Sequence, residues 1–251
     1  MDRFLQDLHM AAGHWATTAC PLINDRLSYK MLDERQQQKC AAFAEYALPL
    51  MADRLFMEKA FTGARYAGAK QLVMVHTGYD TFAVRNSPWY DGIQVFDINP
   101  TEVCNDKQHR LVQAGEKLYS NIHYMDCNDV LAIPELLGHS SFFDEKKTAF
   151  VYIGDFPVRI GRKSFEQFIE QMFKTFPAGS SIVFSSKTEG EEGYSYAQME
   201  KMLSDKGFHI YEYLSARQLY NEYIRDFEIL NSRQFALPQD ISYCVAVKKI
   251  K

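Results

Sequence analysis

The chain has 251 residues, with 47% hydrophobic and 24% charged residues and a formal net charge of −4. These proportions exclude a disordered chain, a coiled coil and a collagen. The mild acidity, with a pI near 6.0, excludes a non-specific nucleic-acid binder, which needs a basic field. No apolar run approaches ~18 residues, so no membrane span is expected. The start of the chain has no basic segment followed by an apolar run, so no signal peptide is expected.

Residues 1–66 read as a helical N-terminal cap. Apolar residues recur at spacings of three and four over Ala41–Leu50 and Arg54–Arg65. Pro49 is expected to kink or break the first of these helices. Gly68 then closes a helix before the run Gln71-Leu-Val-Met-Val-His76, the start of an αβ unit. Similar runs follow at residues 92–97, 148–153 and 180–185, separated by helical stretches at 99–115 and 164–176. Strands apolar throughout, with helix-length spacers, predict a parallel sheet covered on both faces. Residues 207–213 and 241–247 read as a closing strand pair around a helix from residue 218 to 230, an antiparallel edge. The whole is expected to be a doubly wound α/β unit over residues 67–251.

The chemistry concentrates at the ends of these runs. Gly78, after the first strand, lets a ligand approach the backbone closely. Asp97, about twenty residues later, is read as the acid ending the second strand, where a carboxylate accepts from ribose hydroxyls. A turn glycine and a helix cap before Pro100 are the plain alternatives. A full Gly-x-Gly-x-x-Gly is absent, which counts against NAD or FAD. The five cysteines, Cys20, Cys40, Cys104, Cys127 and Cys244, are odd in number and show no Cys-x-x-Cys. Reduced thiols in a cytoplasmic protein are expected, with no metal site.

The segment Gln71-Leu-Val-Met-Val-His-Thr-Gly-Tyr-Asp-Thr-Phe-Ala-Val-Arg85 resembles the first motif of the leucine carboxyl methyltransferase family. That family includes bacterial polyketide O-methyltransferases. Gly78, Asp80, Thr81 and Arg85 match. Val95-Phe96-Asp97-Ile98-Asn99, with Pro100 and Lys107, resembles the second motif. Pro21-Leu22-Ile23-Asn24-Asp25 and Arg54-Leu-Phe-Met-Glu58 resemble two upstream segments.

The resemblance implies a Rossmann-like class I methyltransferase fold with a mostly parallel, seven-stranded sheet. It also implies S-adenosyl-L-methionine (SAM) as cofactor and S-adenosyl-L-homocysteine (SAH) as product. Arg54 would bind the methionine carboxylate with its guanidinium fork. Gly78 would admit the cofactor and Asp97 would hold the ribose. Asp126 would take the adenine amine, and the backbone at Cys127 a ring nitrogen. Asp80 and Arg85 would brace the loop as an ion pair. The resemblance also departs from the family pattern. His76 and Thr77 stand where the family has Gly and Ala, so the His76 ring would crowd or contact the cofactor. Ile153 and Val158 replace an acid and a tyrosine of the fourth-strand motif, with Asp155 as a substitute acid.

Methyl transfer from a sulfonium is an in-line displacement that needs alignment at about 3–3.5 Å. A carboxylate acceptor, with a pKa near ~4, needs no base. For a hydroxyl acceptor, His14, His76, His123 and Tyr124 are the candidates. His14 and Trp15 are assigned to a lid, and a helix end packing Trp15 on the domain is the plain alternative. Phe, Tyr and Trp make up 14% of the chain. The share near the crevice, Trp15, Tyr79, Tyr124 and Phe156, predicts an apolar, aromatic-lined site for a small organic molecule.

The leading expectation is therefore a SAM-dependent O-methyltransferase acting on a small-molecule carboxylate or hydroxyl. A SAM-fold binding or scaffold protein that has lost catalysis is the alternative. An enzyme for another nucleotide cofactor is the third reading.

Overall fold

A computed structural model describes residues 23, 25–39, 44–86, 90, 92–225, 228–229 and 239–249. Seven strands form one sheet: β1 (Gln71–Val75), β2 (Gln94–Asn99), β3 (Ile122–Asp126), β4 (Ala149–Gly154), β5 (Ser181–Lys187), β6 (Phe208–Ser215) and β7 (Ile241–Lys248). Their order is β3-β2-β1-β4-β5-β7-β6. The first five are parallel, and β7 runs antiparallel between β5 and β6. The strand direction therefore matches the expected doubly wound sheet with an antiparallel edge.

The helices are α1 (Arg26–Lys30), α2 (Glu34–Lys39), α3 (Ala44–Tyr66), α4 (Phe82–Asn86), α5 (Thr101–Gln113), α6 (Ile133–Gly138), α7 (Phe156–Ile160), α8 (Arg162–Thr175), α9 (Tyr196–Asp205) and α10 (Ala216–Leu219). A single π-helical turn, Tyr220–Ile224, continues α10. Among the described residues no helix is long and apolar enough to cross a membrane.

The two-residue period of the strands sorts the core into two halves. Leu72, Met74, Val95, Phe150, Tyr152, Val183, Tyr243 and Val245 point to one face, against α3, α5 and the α10 segment. Val73, Val75, Phe96, Ile98, Val151, Ile153, Ile182, Phe184 and Cys244 point to the other, against α6, α8 and α9. Both faces are buried, which is why the strands read as unbroken apolar runs.

Helix α3 answers one half of the expectation of a kink or a break at Pro49: there is no break. It runs through position 49 without a break. A proline there removes one backbone bond and crowds the carbonyl four residues earlier. Burial of Met51, Ala52, Leu55, Phe56, Met57 and Phe61 on the sheet outweighs that local cost. Phe61 is the hub of this contact, meeting Phe82, Tyr90 and Phe150 edge-on at 5.2–5.6 Å between ring centroids. We expect Phe61→Ala to cost about 3–5 kcal/mol, measured as a lowered urea midpoint with an unchanged denaturant slope.

Candidate functional site

In doubly wound sheets, ligands bind outside the carboxyl ends of the strands, where the strand order reverses. Here that point lies between β1 and β4. A narrow crevice opens there, lined by Asp53 and Arg54 of α3, by His76, Thr77 and Asp80 after β1, and by Tyr152, Gly154, Asp155 and Arg159 at the end of β4. Its interior volume is about 10 Å³, room for about one water. A larger cavity, about 470 Å³, lies at the opposite end of the strands, lined by Gly63 and Ala64 at the end of α3 and by Ala67 just after it, beside Val245 and Val247. It is remote from the strand carboxyl ends, so the crevice is the candidate site.

The turn after β1 is built for close approach. His76 sits at φ 50° and Gly78 at φ 62°, backbone that glycine adopts freely and histidine rarely. His76 is held there by two contacts. Its backbone N–H donates to the Ile98 carbonyl at 2.7 Å, and its Nε2 meets the Cys127 carbonyl at 2.8 Å. Burial lowers the His76 pKa, so the neutral ring is favoured, and the hydrogen bond to Cys127 opposes the shift without cancelling it. The Gly78 N–H donates to Asn99 Oδ1 at 2.8 Å. The Thr77 hydroxyl oxygen is buried in the crevice wall without a hydrogen-bond partner among the described residues.

Arg54 lines the crevice, but its guanidinium is occupied. It is 1% exposed, with Nε 3.0 Å from Asp80 Oδ2 and Nη1 3.4 Å from Asp25 Oδ2. Asp25 also accepts from the Ser28 and Thr81 hydroxyls, each at 2.5 Å. Burial would raise the Asp80 pKa, yet Arg54 and Arg85, aided by the Phe82 N–H, hold it below the usual carboxylate range. The expected Asp80–Arg85 pair is not formed: Asp80 pairs with Arg54, and Arg85 pairs with Glu58. In this arrangement Arg54 ties buried acids together instead of presenting a free fork to a carboxylate.

Asp97 is also relocated. The strand was expected to end at this acid, but β2 runs on to Asn99. Asp97 is 0% exposed, with Lys107 Nζ 2.6 Å from Oδ2 and Asn99 Nδ2 2.7 Å from Oδ1. Both oxygens are engaged beneath α5, so Asp97 braces the strand and does not face the crevice. The strand end is Asn99, which links the Gly78 turn to Asp97.

Asp126 ends β3 beside Asn99. It is exposed and accepts from the Thr101 hydroxyl at 3.0 Å. The Cys127 N–H, expected to meet a ring nitrogen, already donates to the Asn99 carbonyl at 2.9 Å. Its thiol donates to the Asp129 carbonyl. Tyr124 is not a crevice residue. Its hydroxyl is buried on the α5 side, and burial, with Asp97 nearby, raises its pKa. His123 stacks on Phe142 at 4.1 Å, also away from the crevice. Tyr79 is core, its hydroxyl 2.5 Å from Asp106 Oδ2. Phe156 stands beside His76, with Arg159 over its ring. His14 and Trp15 lie outside the described residues.

Three crevice groups were not singled out as contacts from the sequence: Asp53, Tyr152 and Arg159. Asp53 is 6% exposed and makes no ion pair at salt-bridge distance among the described residues. Burial and the nearby Asp155 push its pKa well above the ordinary value, against a hydrogen bond from Ser185. Asp155 pairs with Arg159 at 2.8 Å. The signal for Asp53 was a lone acid beside Arg54 inside the apolar run Met51–Met57.

Comparison with known proteins shows the family and the fold. Residues 1–157 match the family described as leucine carboxyl methyltransferase. YktD of Bacillus subtilis (strain 168), assigned by name to the S-adenosyl-L-methionine-dependent methyltransferases, is 27% identical over 227 residues. The match covers 79% of this chain and 72% of YktD. A protein of Mycobacterium sp. (strain KMS) with the same assignment is 27% identical over 129 residues, which span 51% of this chain and only 48% of that protein. Among solved structures, the mitomycin 7-O-methyltransferase MmcR superposes with a TM-score of 0.51 at 10% identity, over 94% of this chain and 66% of that one. That likeness establishes the fold.

Two outcomes follow from the buried charges. Lys107→Met strands a buried carboxylate and should cost about 3–5 kcal/mol, much of it recovered when Asp97→Asn is added; a double-mutant cycle by urea unfolding measures both. Asp53 has a folded pKa raised above its unfolded value. Its contribution to stability is therefore full below the unfolded carboxyl range and is lost as pH rises through the folded value. Asp53→Asn should thus raise the melting temperature of the ligand-free protein at pH 7, with the gain fading near pH ~4. Equal shifts at both pH values would contradict the assignment.

Proposed function

Because the chain belongs to the leucine carboxyl methyltransferase family, we propose that it is a SAM-dependent O-methyltransferase acting on a carboxylate or hydroxyl of a small organic molecule. The observation that carries the reading is a crevice at the reversal of strand order, lined by α3, by His76, Thr77 and Asp80 after β1 and by the end of β4, with Asn99 and Asp126 at the ends of the next two strands.

The residues present suit such a cofactor. The Thr77 hydroxyl, without a hydrogen-bond partner among the described residues, and the buried Asp53, which makes no ion pair at salt-bridge distance among them, are polar groups suited to a polar ligand. Gly78 admits an adenosyl group close to the backbone. Asp126 is exposed at the next strand end and can accept from a ribose hydroxyl or the adenine amine. His76 lines the crevice, where a neutral imidazole can hold a proton taken from a hydroxyl acceptor. A carboxylate acceptor would need no such help. Bound SAM supplies an activated methyl group on a sulfonium. The closed crevice must widen first, since small-molecule sites have volumes of ~300–1,000 Å³.

One observation favours a second reading, a SAM-fold protein that binds without methylating. Ile153 and Val158 stand where the family carries an acid and a tyrosine, and Ile153 is fully buried in the core. A panel of aromatic and aliphatic acids and phenols incubated with methyl-labelled SAM separates the two readings. We expect label in an organic product, and Asp126→Ala should weaken SAH binding tenfold or so, as loss of a hydrogen bond to a charged group would. Binding of SAH with no methylated product from any acceptor would support the second reading.

A further inference from the structure

Among the described residues, His76 is the one residue other than glycine with left-handed backbone, at φ 50°. Glycine would make the same turn without steric cost, so the strain comes with having an imidazole here, and strain of this kind points to a use for the side chain. That side chain makes one polar contact, from Nε2 to the Cys127 carbonyl at 2.8 Å. The contact crosses the sheet. His76 follows β1, Cys127 follows β3, and β2 lies between these strands. The imidazole therefore reaches over the carboxyl end of β2, with Phe156 edge-on to it at 6.1 Å between ring centroids. A nucleoside held between the Gly78 turn and Asp126 has to cross the same strand end. Ring and ligand compete for one place. With the ring there, the crevice has room for about one water.

We propose that the His76 ring is a strap over the nucleoside floor, fastened to Cys127 in the free protein and displaced when the cofactor binds, so that His76 sets how tightly the adenosyl half is held. This rests on the SAM reading above. Opening asks for no movement of the sheet. Rotation about the side-chain bonds of His76 breaks one hydrogen bond, while its backbone N–H stays on the Ile98 carbonyl at 2.7 Å and the turn keeps its shape. A carbonyl only accepts, so the neutral ring of the closed strap carries its proton on Nε2. Release of that N–H leaves the Cys127 carbonyl open to a donor on the ligand. The strap thus lowers affinity in proportion to the fraction of molecules in which it is open, and a residue with no ring at position 76 removes that penalty.

Calorimetry with two ligands tests the strap: SAH, and methylthioadenosine, which keeps the adenosyl group but lacks the amino-acid end. His76→Gly keeps the turn, and His76→Asn suits left-handed backbone with a shorter side chain; melting curves show that each is folded. Both variants should bind both ligands about two- to tenfold more tightly than the parent, the worth of one hydrogen bond no longer broken on binding. A residue that merely held the turn in place would give losses instead. In the parent, nitrogen NMR of the imidazole should show the His76 Nε2–H losing its carbonyl partner as SAH is added, a readout that needs no variant. Equal or weaker binding by the folded variants, or a ring signal that bound SAH leaves unmoved, would overturn the strap and leave the SAM reading intact. A gain for SAH that methylthioadenosine does not share would overturn it too, because the strap covers the nucleoside floor. Binding of neither ligand by parent or variants would bring down the SAM reading and the strap together.

Discussion

A single buried guanidinium ties the site to the rest of the molecule. Arg54 rises from α3 and holds Asp80, on the turn after β1, and Asp25, at the start of α1. Three segments far apart in sequence meet on one planar cation. The geometry of a guanidinium suits this better than an ammonium, because its donors point in fixed directions toward several carboxylates. Asp25 in turn caps α1 and accepts from Thr81, so the turn after β1 is pinned from both sides. Buried charges of this kind contribute little net stability, since desolvation offsets attraction, but removing one partner is costly. They act as a register, fixing where α3 and the turn lie relative to the sheet.

A second buried pair does the same for the next strand. Asp97 and Lys107 join β2 to α5, and Asn99 passes the constraint on to the Gly78 N–H. The turn that approaches a ligand is thereby held by backbone, amide and ion pair, all within buried layers. Such support leaves little play, which suits a site where a misplacement of about 1 Å is expensive.

The fold was legible because its strands are buried on both faces and therefore read as plain apolar runs, with glycines such as Gly68 and Gly207 marking their starts. The antiparallel last pair was visible in its change of pattern. Boundaries were less so. A strand such as Gln94–Asn99 contains a buried acid, and a buried acid looks like a strand end when its partner, Lys107, lies ten residues away on a helix. The same blindness hid the job of Arg54. A sequence shows that an arginine is present but not that two distant aspartates already claim it. Pro49 left a kink and a break both open for a related reason: local geometry allows either, and only the tertiary packing of residues 51–61 rules out the break. Asp53 and Arg159 belong to no motif quoted above, and only the fold puts them across one crevice.

The placement of β7 bears on how the chain reaches this state. β6 precedes β7 in sequence but meets the sheet only through it, since β7 lies between β5 and β6. During synthesis, β1 to β5 can assemble in order as they emerge, each beside a strand already made. β6 cannot follow them and must wait, its edge unpaired, until residues 241–248 arrive. Until then the flank of β5 has no strand to pair with, and an unpaired strand edge invites association with other chains. One strand, β7, thus completes two pairings at once, and the sheet's antiparallel flank is all or nothing.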